Sequence, residues 1–256
     1  MMVEVLSIGN ELLMGKTVNT NASWIADRVT RLGGLIRRIT VIGDDLDEIA
    51  SALKEAALRG AKLIITTGGL GPTHDDKTME GISRALNVPL ELNEEALRML
   101  EAKVRVRAPQ VRKMAYLPRG AEPLQNPVGA APGALVKLGE ASIVALPGVP
   151  SEMKAMFELH VEPLIKEGVE EAFYEAEATL IGIYEADLAP IMEEVLKRDP
   201  TLYIKSHPKL EGGVSIIKLH VACRSLSLEE GKRKVEEALK HILGIAKAKG
   251  ARVEES

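Results

Sequence analysis

The sequence is poor in cysteine and long apolar runs, and each shortage excludes a class of protein. Its 256 residues include a single cysteine, Cys223, which excludes an internal disulfide framework and a multi-cysteine metal site. No apolar run approaches the ~18 residues of a membrane-spanning helix. Met1 and Met2 lead directly into a strand-like segment without the pattern of a signal peptide. We therefore expect a cytoplasmic protein with no membrane partner.

An excess of basic residues is also missing, and aromatic residues are few. Lys and Arg number 33 against 37 Asp and Glu, the net charge is -4, and aromatic residues make up 3% of the chain. A nucleic-acid-binding surface needs clustered positive charge and, for single strands, aromatic stacking platforms. We therefore expect no nucleic-acid partner. The 46% of apolar and 27% of charged residues are typical of a globular protein.

Strand and helix patterns alternate along the first part of the chain. This alternation predicts an α/β three-layer sandwich, in which helices cover both faces of a mostly parallel sheet. The predicted strands are 3–8, 36–42 and 63–65, and a hairpin of 134–137 and 142–146 follows. Helices are predicted around Ile25 to Leu32, around Ile49 to Leu53, and at 77–86, 93–107 and 150–166. Residues 109–133 are rich in Pro and Gly and are predicted to be irregular.

A smaller α+β module is predicted after Gly168, which gives two domains, 1–168 and 169–256. Its strands are predicted at 176–183, 201–206 and 214–222, its helices at 186–197 and 227–242, and the last dozen residues as a frayed tail. Apolar strand residues such as Ile183 and Ile217 suggest a surface that a second copy of the chain covers, and we expect a homodimer. The alternative is that the module's own two helices cover this surface.

Polar residues and glycines follow the predicted strands of the first domain. They form four groups: Gly9 to Glu11, Asp44 with Asp45, Gly68 to Asp76, and Pro147 to Glu152. A single group of this kind is explained by the residues that ordinary turns require. Because ligands of α/β sheets bind outside the carboxyl ends of the strands, four groups at one edge predict a ligand site.

The third group begins with Gly68-Gly69-Leu70-Gly71, between a buried strand and a helix. Glycines accept positive φ and allow backbone N–H groups to approach a phosphate at a helix N-terminus. The loop lacks the Lys-Ser/Thr of a Walker A motif, and the chain has no Gly-x-Gly-x-x-Gly fingerprint. The pattern therefore predicts phosphate binding without favouring NTP hydrolysis or hydride transfer.

Two carboxylates, Asp75 and Asp76, follow this glycine loop directly. Phosphates do not bind beside carboxylates unaided, so the pattern predicts a divalent metal cofactor (Mg, Mn or Co) between them. Asp44 and Asp45 arrive from another strand end and complete the predicted metal site. The alternatives are that Asp75 or Asp76 caps the helix after the glycine loop, and that Asp45 or Asp47 caps the helix after the second strand.

Four motifs together resemble the competence/damage-inducible protein A (CinA) family, and they occur in the family's order between residue 3 and about residue 165. They are Ile8-Gly9-Asn10-Glu11-Leu12-Leu13 with Gly15 and Asn19-Thr20-Asn21; Thr67 to Thr73 with Asp75, Asp76 and Thr78; Asn126 with Gly129 and Ala131-Pro132-Gly133; and Leu146 to Met153. The resemblance implies a molybdopterin-binding-like (MoaB/Mog-like) domain, a KH-like module after it, and metal-dependent hydrolysis of ADP-ribose or, as in a relative fused to FAD synthases, of FAD. Many bacterial members continue into an amidohydrolase domain, for which we expect no room here, so deamidation is not predicted.

The strand-end positions and the resemblance together assign roles to individual residues. Asp75, Asp76, Lys77 and Lys154 are the expected catalytic residues, and Asp44, Asp45, Asp75 and Asp76 the expected metal ligands. The expected nucleotide-binding residues are Asn10, Glu11, Asn19, Gly68, Gly69, Leu70, Gly71, Thr73, Pro147, Gly148, Ser151 and Glu152.

Three functions fit these residues. The first is a metal-dependent pyrophosphatase acting on a small nucleotide substrate such as ADP-ribose, with a metal that polarises phosphorus and activates water. The second is nucleotidyl transfer onto molybdopterin in the same pocket. The third is nucleotide binding without catalysis.

Overall fold

The computed structural model of the chain describes residues 1–104 and 109–255. These residues form two compact units, Met1–Val169 and Glu170–Ser256. The first unit carries all the strand-end groups singled out by the sequence.

The first unit is built from alternating strands and helices. Its strands are β1 (Met2–Ile8), β2 (Leu35–Ile42), β3 (Leu63–Thr67), β4 (Leu90–Leu92), β5 (Tyr116–Pro118), β6 (Glu122–Leu124), β7 (Gly133–Leu138) and β8 (Ala141–Leu146). Its helices are α1 (Asn10–Leu13), α2 (Thr20–Arg31), α3 (Leu46–Leu58), α4 (Thr78–Leu86), α5 (Glu94–Glu101), α6 (Pro109–Lys113), α7 (Pro150–Met156) and α8 (Glu162–Glu167), with a π-helical turn (Phe157–Val161) between the last two.

Six of these strands form one sheet in the order β2-β1-β3-β8-β7-β6. The four strands β2, β1, β3 and β8 are parallel, and β7 is antiparallel to both of its neighbours. The mostly parallel sheet predicted from the sequence is therefore confirmed. In the register, Ser7 lies beside Thr67, and Thr67 beside Leu146, so the carboxyl ends of β1, β3 and β8 lie side by side.

Alternate residues of the central strands belong to two separate hydrophobic cores, one on each face of the sheet. Leu6 of β1 and Ile64 of β3 belong to the core shared with α3 and α4. Val5 and Ile65 belong to the core shared with α2 and α7. Because strand side chains alternate between faces, this division confirms the three-layer arrangement.

The structure corrects two predictions for the first unit. The helix predicted at 93–107 is α5, which ends at Glu101; part of the prediction, residues 105–108, lies outside the described residues. The segment predicted to be irregular contains α6 and the short strands β5 and β6. Strands of three residues are too short to show an alternating pattern, which explains why the sequence did not reveal them.

The second unit contains β9 (Ala172–Ile181), α9 (Glu185–Arg198), β10 (Leu202–Glu211), β11 (Val214–Ser225), α10 (Leu228–Ala248) and β12 (Arg252–Glu255). Its strands form an antiparallel sheet in the order β10-β11-β9-β12. The buried side chains Leu180, Ile217 and Leu219 pack in one core with Leu188 of α9 and Val235 of α10. The unit's own helices therefore cover this apolar face, which was the alternative in the sequence analysis.

Two details of the second unit differ from the prediction. The tail is ordered further than expected, because α10 continues to Ala248 and β12 pairs with β9, with Val253 packed against the core. Ile183, predicted to end a strand, lies beyond β9 but is buried. Among the described residues, no helix is long and apolar enough to span a membrane.

A buried ion pair ties α3 to β1, and its removal should destabilise the first unit. Glu4 is 0% exposed, and its two oxygens accept hydrogen bonds from Arg59 at 2.9 and 2.7 Å. We expect Arg59→Met to lower the free energy of unfolding by about 3–5 kcal/mol, because it leaves a buried carboxylate unpaired. Guanidinium unfolding followed by the fluorescence of Trp24, the single tryptophan, reports on this unit.

The matched control is Arg84→Met. Arg84 pairs with Asp47 at 2.7 Å, and both side chains are largely exposed, so this change should cost no more than about 1 kcal/mol. Equal losses in the two variants would contradict the structural importance of the buried pair.

Candidate functional site

A cleft of about 510 Å³ lies at the carboxyl ends of β1, β3 and β8. It lies at the sheet edge where the sequence predicts a ligand site. Twelve of the residues expected there line it: Glu11, Asp44, Gly68, Gly69, Leu70, Gly71, Thr73, Asp75, Asp76, Pro147, Gly148 and Glu152. Six others do not line it: Asn10, Asn19, Asp45, Lys77, Ser151 and Lys154.

The glycine loop is shaped by contacts within the protein. Gly68 has φ +105°, and a Cβ on it would lie 2.2 Å from the carbonyl oxygen of Ile8. Gly69 has φ +66°, and its Cβ would lie 2.4 Å from Oγ1 of Thr78. The fold itself therefore requires glycine at both positions, independently of the phosphate approach that the sequence predicts. The loop is held further by Thr78, whose hydroxyl donates to the Gly68 carbonyl at 2.7 Å.

The two carboxylates that follow the glycine loop are organised by Thr73. Its backbone N–H donates to Asp76 Oδ2 at 2.8 Å, and its hydroxyl lies at hydrogen-bond distance from both Asp75 and Asp76. This hydroxyl lowers the pKa of the Asp75 carboxyl, with a smaller contribution from the charge of Lys113. Residue Lys77, not an aspartate, occupies the N-cap position of α4, and its side chain makes no capping hydrogen bond. The capping alternative for Asp75 and Asp76 is therefore wrong.

Asp44 and Asp45, the other predicted pair of metal ligands, have different roles in the structure. Asp45 caps α3, because its carboxylate accepts the N–H groups of Asp47 and Glu48 at 2.9 and 3.0 Å. These bonds, the one from Glu48 first, lower the pKa of the Asp45 carboxyl. Asp44 lines the cleft, and its Oδ2 accepts the N–H of Asn10 at 2.9 Å. Asn10 therefore supports Asp44 from outside the cleft.

The four-aspartate metal site is not assembled as one cluster. Over residues 1–104 and 109–255, no three His, Cys, Asp or Glu side chains are grouped closely enough to hold a metal ion. Asp44, Asp75 and Asp76 nevertheless share the cleft. This arrangement fits a hard cation such as Mg²⁺, which takes one or two carboxylates and completes its shell with phosphate oxygens and water.

Glu152 is held in place by a residue that the sequence analysis did not assign to the site. Asn126 is buried, and its amide nitrogen donates to Glu152 Oε2 at 2.7 Å and to the Ala131 carbonyl at 3.0 Å. Its amide oxygen accepts the N–H groups of Val128 and Gly129. The presence of Asn126 in the third motif was the available signal for this role.

A second polar pocket of about 120 Å³ adjoins the cleft and shares Ile8, Glu11, Gly68 and Gly148 with it. Asn19 and Asn21 line this pocket. Asn19 caps α2 and exchanges hydrogen bonds with Ser7. Asn21, also missed as a site residue, donates to the Gly148 carbonyl at 2.8 Å and thereby ties α2 to the loop after β8.

The predicted lysines lie away from the cleft. The ammonium of Lys154 lies 5.5 Å from the centre of the Trp24 ring, a cation–π contact on the α2 side. The described part of the cleft wall holds five carboxylates, those of Glu11, Asp44, Asp75, Asp76 and Glu152, and no Lys, Arg or His side chain. The positive charge that was expected from Lys77 and Lys154 has to come from elsewhere.

Known proteins share this fold and much of this sequence. The family described as "probable molybdopterin binding domain" matches residues 4–167. A protein of Pyrobaculum arsenaticum is 45% identical, with 98% of this chain and 97% of the relative covered, and one of Sulfurisphaera tokodaii is 42% identical, with 99% and 98% covered. The crystal structure of the protein CinA from Thermoplasma acidophilum, described as of unknown function, is 42% identical with a TM-score of 0.61 and covers 64% of this chain and 99% of its own. The chain therefore belongs to the family of the probable molybdopterin-binding domain, and its first unit is a domain of the CinA type.

Proposed function

We propose that the cleft binds a nucleotide through its phosphates together with a divalent cation, and that it transfers the nucleotidyl group to molybdopterin. The description of the matching family supports a molybdopterin-related ligand more directly than it supports ADP-ribose. The alternative of the sequence analysis thus becomes the leading candidate.

The composition of the cleft wall is the observation that carries this proposal. Five carboxylates and no basic side chain line the described wall, so a phosphate entering alone would be repelled. Such a wall suits a ligand that arrives with a hard cation, because the cation is attracted by carboxylates and by phosphate oxygens alike. A site for free anions would instead carry Arg or Lys.

The chain's own residues then have separate tasks. Asp76, with Asp75 beside it, would hold the cation, and Asp44 lines the same cleft. Backbone N–H groups of the loop that begins at Gly68 would orient the phosphates. When bound, the cation would polarise the phosphorus–oxygen bond under attack. Glu152, fixed by Asn126 through one oxygen, keeps its other oxygen available for a hydroxyl or water proton.

A second candidate is metal-dependent hydrolysis of ADP-ribose or FAD, and the position of Glu152 favours it. A carboxylate held at one oxygen is suited to act as a general base toward water. The resemblance of four motifs to the CinA family supports the same activity. A non-catalytic nucleotide-binding protein would use the same cleft without turnover.

A panel assay separates the three candidates. The protein is incubated with Mg²⁺, Mn²⁺ or Co²⁺ and with ATP plus molybdopterin, ATP alone, ADP-ribose, FAD or NAD, and the products are resolved. Pyrophosphate released from ATP only when molybdopterin is present supports transfer. AMP and ribose 5-phosphate from ADP-ribose support hydrolysis, and tight binding without any turnover would overturn both enzymatic candidates.

Replacing Asp76 tests the role of the acid pair. Asp76→Asn keeps an oxygen that accepts the Thr73 N–H but removes a charge from the proposed cation site. We expect the turnover that the panel assay detects to fall by at least ~100-fold at saturating metal. Asp47→Asn removes an exposed carboxylate outside the cleft and should leave turnover unchanged. Near-normal turnover by Asp76→Asn would exclude its proposed role.

Gly148 offers a test of where the ligand binds. A Cβ on this residue would meet only Gly68 Cα, at 3.4 Å, an ordinary contact. Gly148→Ala should therefore keep the unfolding midpoint near that of the wild type while lowering the affinity for ADP with Mg²⁺ by ~10-fold or more, because the methyl group enters the cleft wall. The measurement is calorimetric titration.

Gly244→Ala serves as the control, since a Cβ there would meet nothing within 4 Å. Its affinity should equal that of the wild type. If Gly148→Ala also binds ADP normally, the nucleotide lies elsewhere.

We further propose that the second unit is KH-like and holds the protein as a homodimer. The resemblance to the CinA family supports the KH-like assignment. The homodimer was expected from the apolar strand surface, and that reason no longer holds because α9 and α10 cover this face. A fragment ending at Val169, which packs against the first unit's core, should be monomeric by light scattering. It should retain metal-dependent binding of ADP. A fragment as oligomeric as the full chain would assign self-association to the first unit.

A further inference from the structure

Lys113 lies behind the loop that carries the two acids, which we call the acid loop (Thr73–Asp76). Lys113 ends α6 and is 37 residues from Asp76 in the sequence. It does not line the 510 Å³ cleft. Its contacts are nevertheless concentrated on the acid loop and on the helix that follows.

The ammonium of Lys113 contacts three oxygen atoms. It donates to the backbone carbonyls of Thr73 at 3.0 Å and of Asp76 at 2.6 Å, the two ends of the acid loop. Glu80 of α4 lies 3.6 Å away as an ion-pair partner. An ammonium has three N–H donors; two of them serve the two carbonyls of the acid loop, while the Glu80 carboxylate lies beyond hydrogen-bond distance and acts through its charge.

We infer that Lys113 is a positioning residue that holds the acid loop with Asp75 and Asp76 facing the cleft. One cation that bridges both ends of a four-residue loop fixes the distance between those ends. The carboxylates are then oriented by Thr73 on the cleft side, while Lys113 closes the opposite side. This inference rests on the proposed function, since it assigns the loop's carboxylates to the cation.

The charge of Lys113 acts in the opposite direction to its hydrogen bonds. As a cation near the acid loop, it repels a divalent ion, whereas as a donor it preorganises the ion's ligands. Residues that orient metal ligands typically change metal affinity by ~10–100-fold when removed. Surface charges are screened by solvent, and we therefore expect the loss of positioning to dominate.

The test uses Lys113→Met and Lys113→Arg in the full chain. Lys103→Met is the matched control, because Lys103 also donates to a backbone carbonyl, that of Pro127 at 3.0 Å, away from the acid loop. Hydrogen exchange at the Thr73 amide, which donates to Asp76, reports on the loop directly. Calorimetry with Mn²⁺ alone reports on the cation site, and exchange at the core amide of Ile64 in β3 reports on the stability of the unit.

We expect Lys113→Met to speed exchange at Thr73 by ~10-fold or more and to weaken Mn²⁺ binding by ~10-fold or more. Exchange at the core amide of Ile64 in β3 should change far less than at Thr73, a difference that general destabilisation would not give. Lys113→Arg, which keeps a charged donor, should recover part of the Mn²⁺ affinity, and Lys103→Met should match the wild type.

Two results would overturn the inference. Unchanged exchange at Thr73 in Lys113→Met would show that the lysine does not hold the loop. If the wild type binds Mn²⁺ and Lys113→Met binds it equally well or more tightly, Lys113 acts only through its positive charge and does not position the ligands. A wild type that binds no Mn²⁺ would instead contradict the proposed function, and the exchange result would then decide the holding role by itself.

Discussion

The close approach of β3 to β1 at their carboxyl ends determines the rest of the site. A Cβ on Gly68 would lie 2.2 Å from the Ile8 carbonyl oxygen, so the chain passes this point only with glycine and with φ near +105°. The Gly68 N–H also donates to the Leu146 carbonyl at 3.1 Å. One residue thus joins the ends of three parallel strands, and the loops after those strands emerge around one cleft.

This constraint changes the meaning of the glycine loop. Phosphate-binding glycines are usually explained by the approach of a ligand to the backbone. Here the close contacts with Ile8 and Thr78 already require glycine at positions 68 and 69, whereas Gly148, beside Gly68 in the cleft wall, has room for a methyl group. A substitution at Gly148 therefore tests ligand binding separately from the integrity of the fold.

The location of the candidate site could be predicted from the sequence, but the residues that hold its side chains in place could not. Parallel strands bring their carboxyl ends together, so the polar groups after β1, β3 and β8 had to meet. The sequence left open whether Asp45 or Asp47 caps α3, because a pattern does not resolve the exact first residue of a helix. Asn126 and Lys113 reach the site from the Pro/Gly-rich segment between α5 and β7, where no periodicity indicates the direction of a side chain.

The electrostatics of the acid loop determine how the Asp75 carboxylate responds to pH. The Thr73 hydroxyl and the charge of Lys113 both lower the pKa of Asp75, so its carboxylate stays ionised to more acidic pH than an isolated aspartate would. Because the pKa is lowered in the folded protein, the ionised Asp75 carboxylate stabilises the folded state. This stabilisation is present above the ordinary pKa of an aspartate and is lost as the pH falls through the lowered pKa. A cation bound here therefore keeps this ligand throughout the neutral range. Weakening of cation binding near pH 6 would therefore not arise from protonation of Asp75; the ligand's phosphate, whose second ionisation lies there, is one group that titrates in that range.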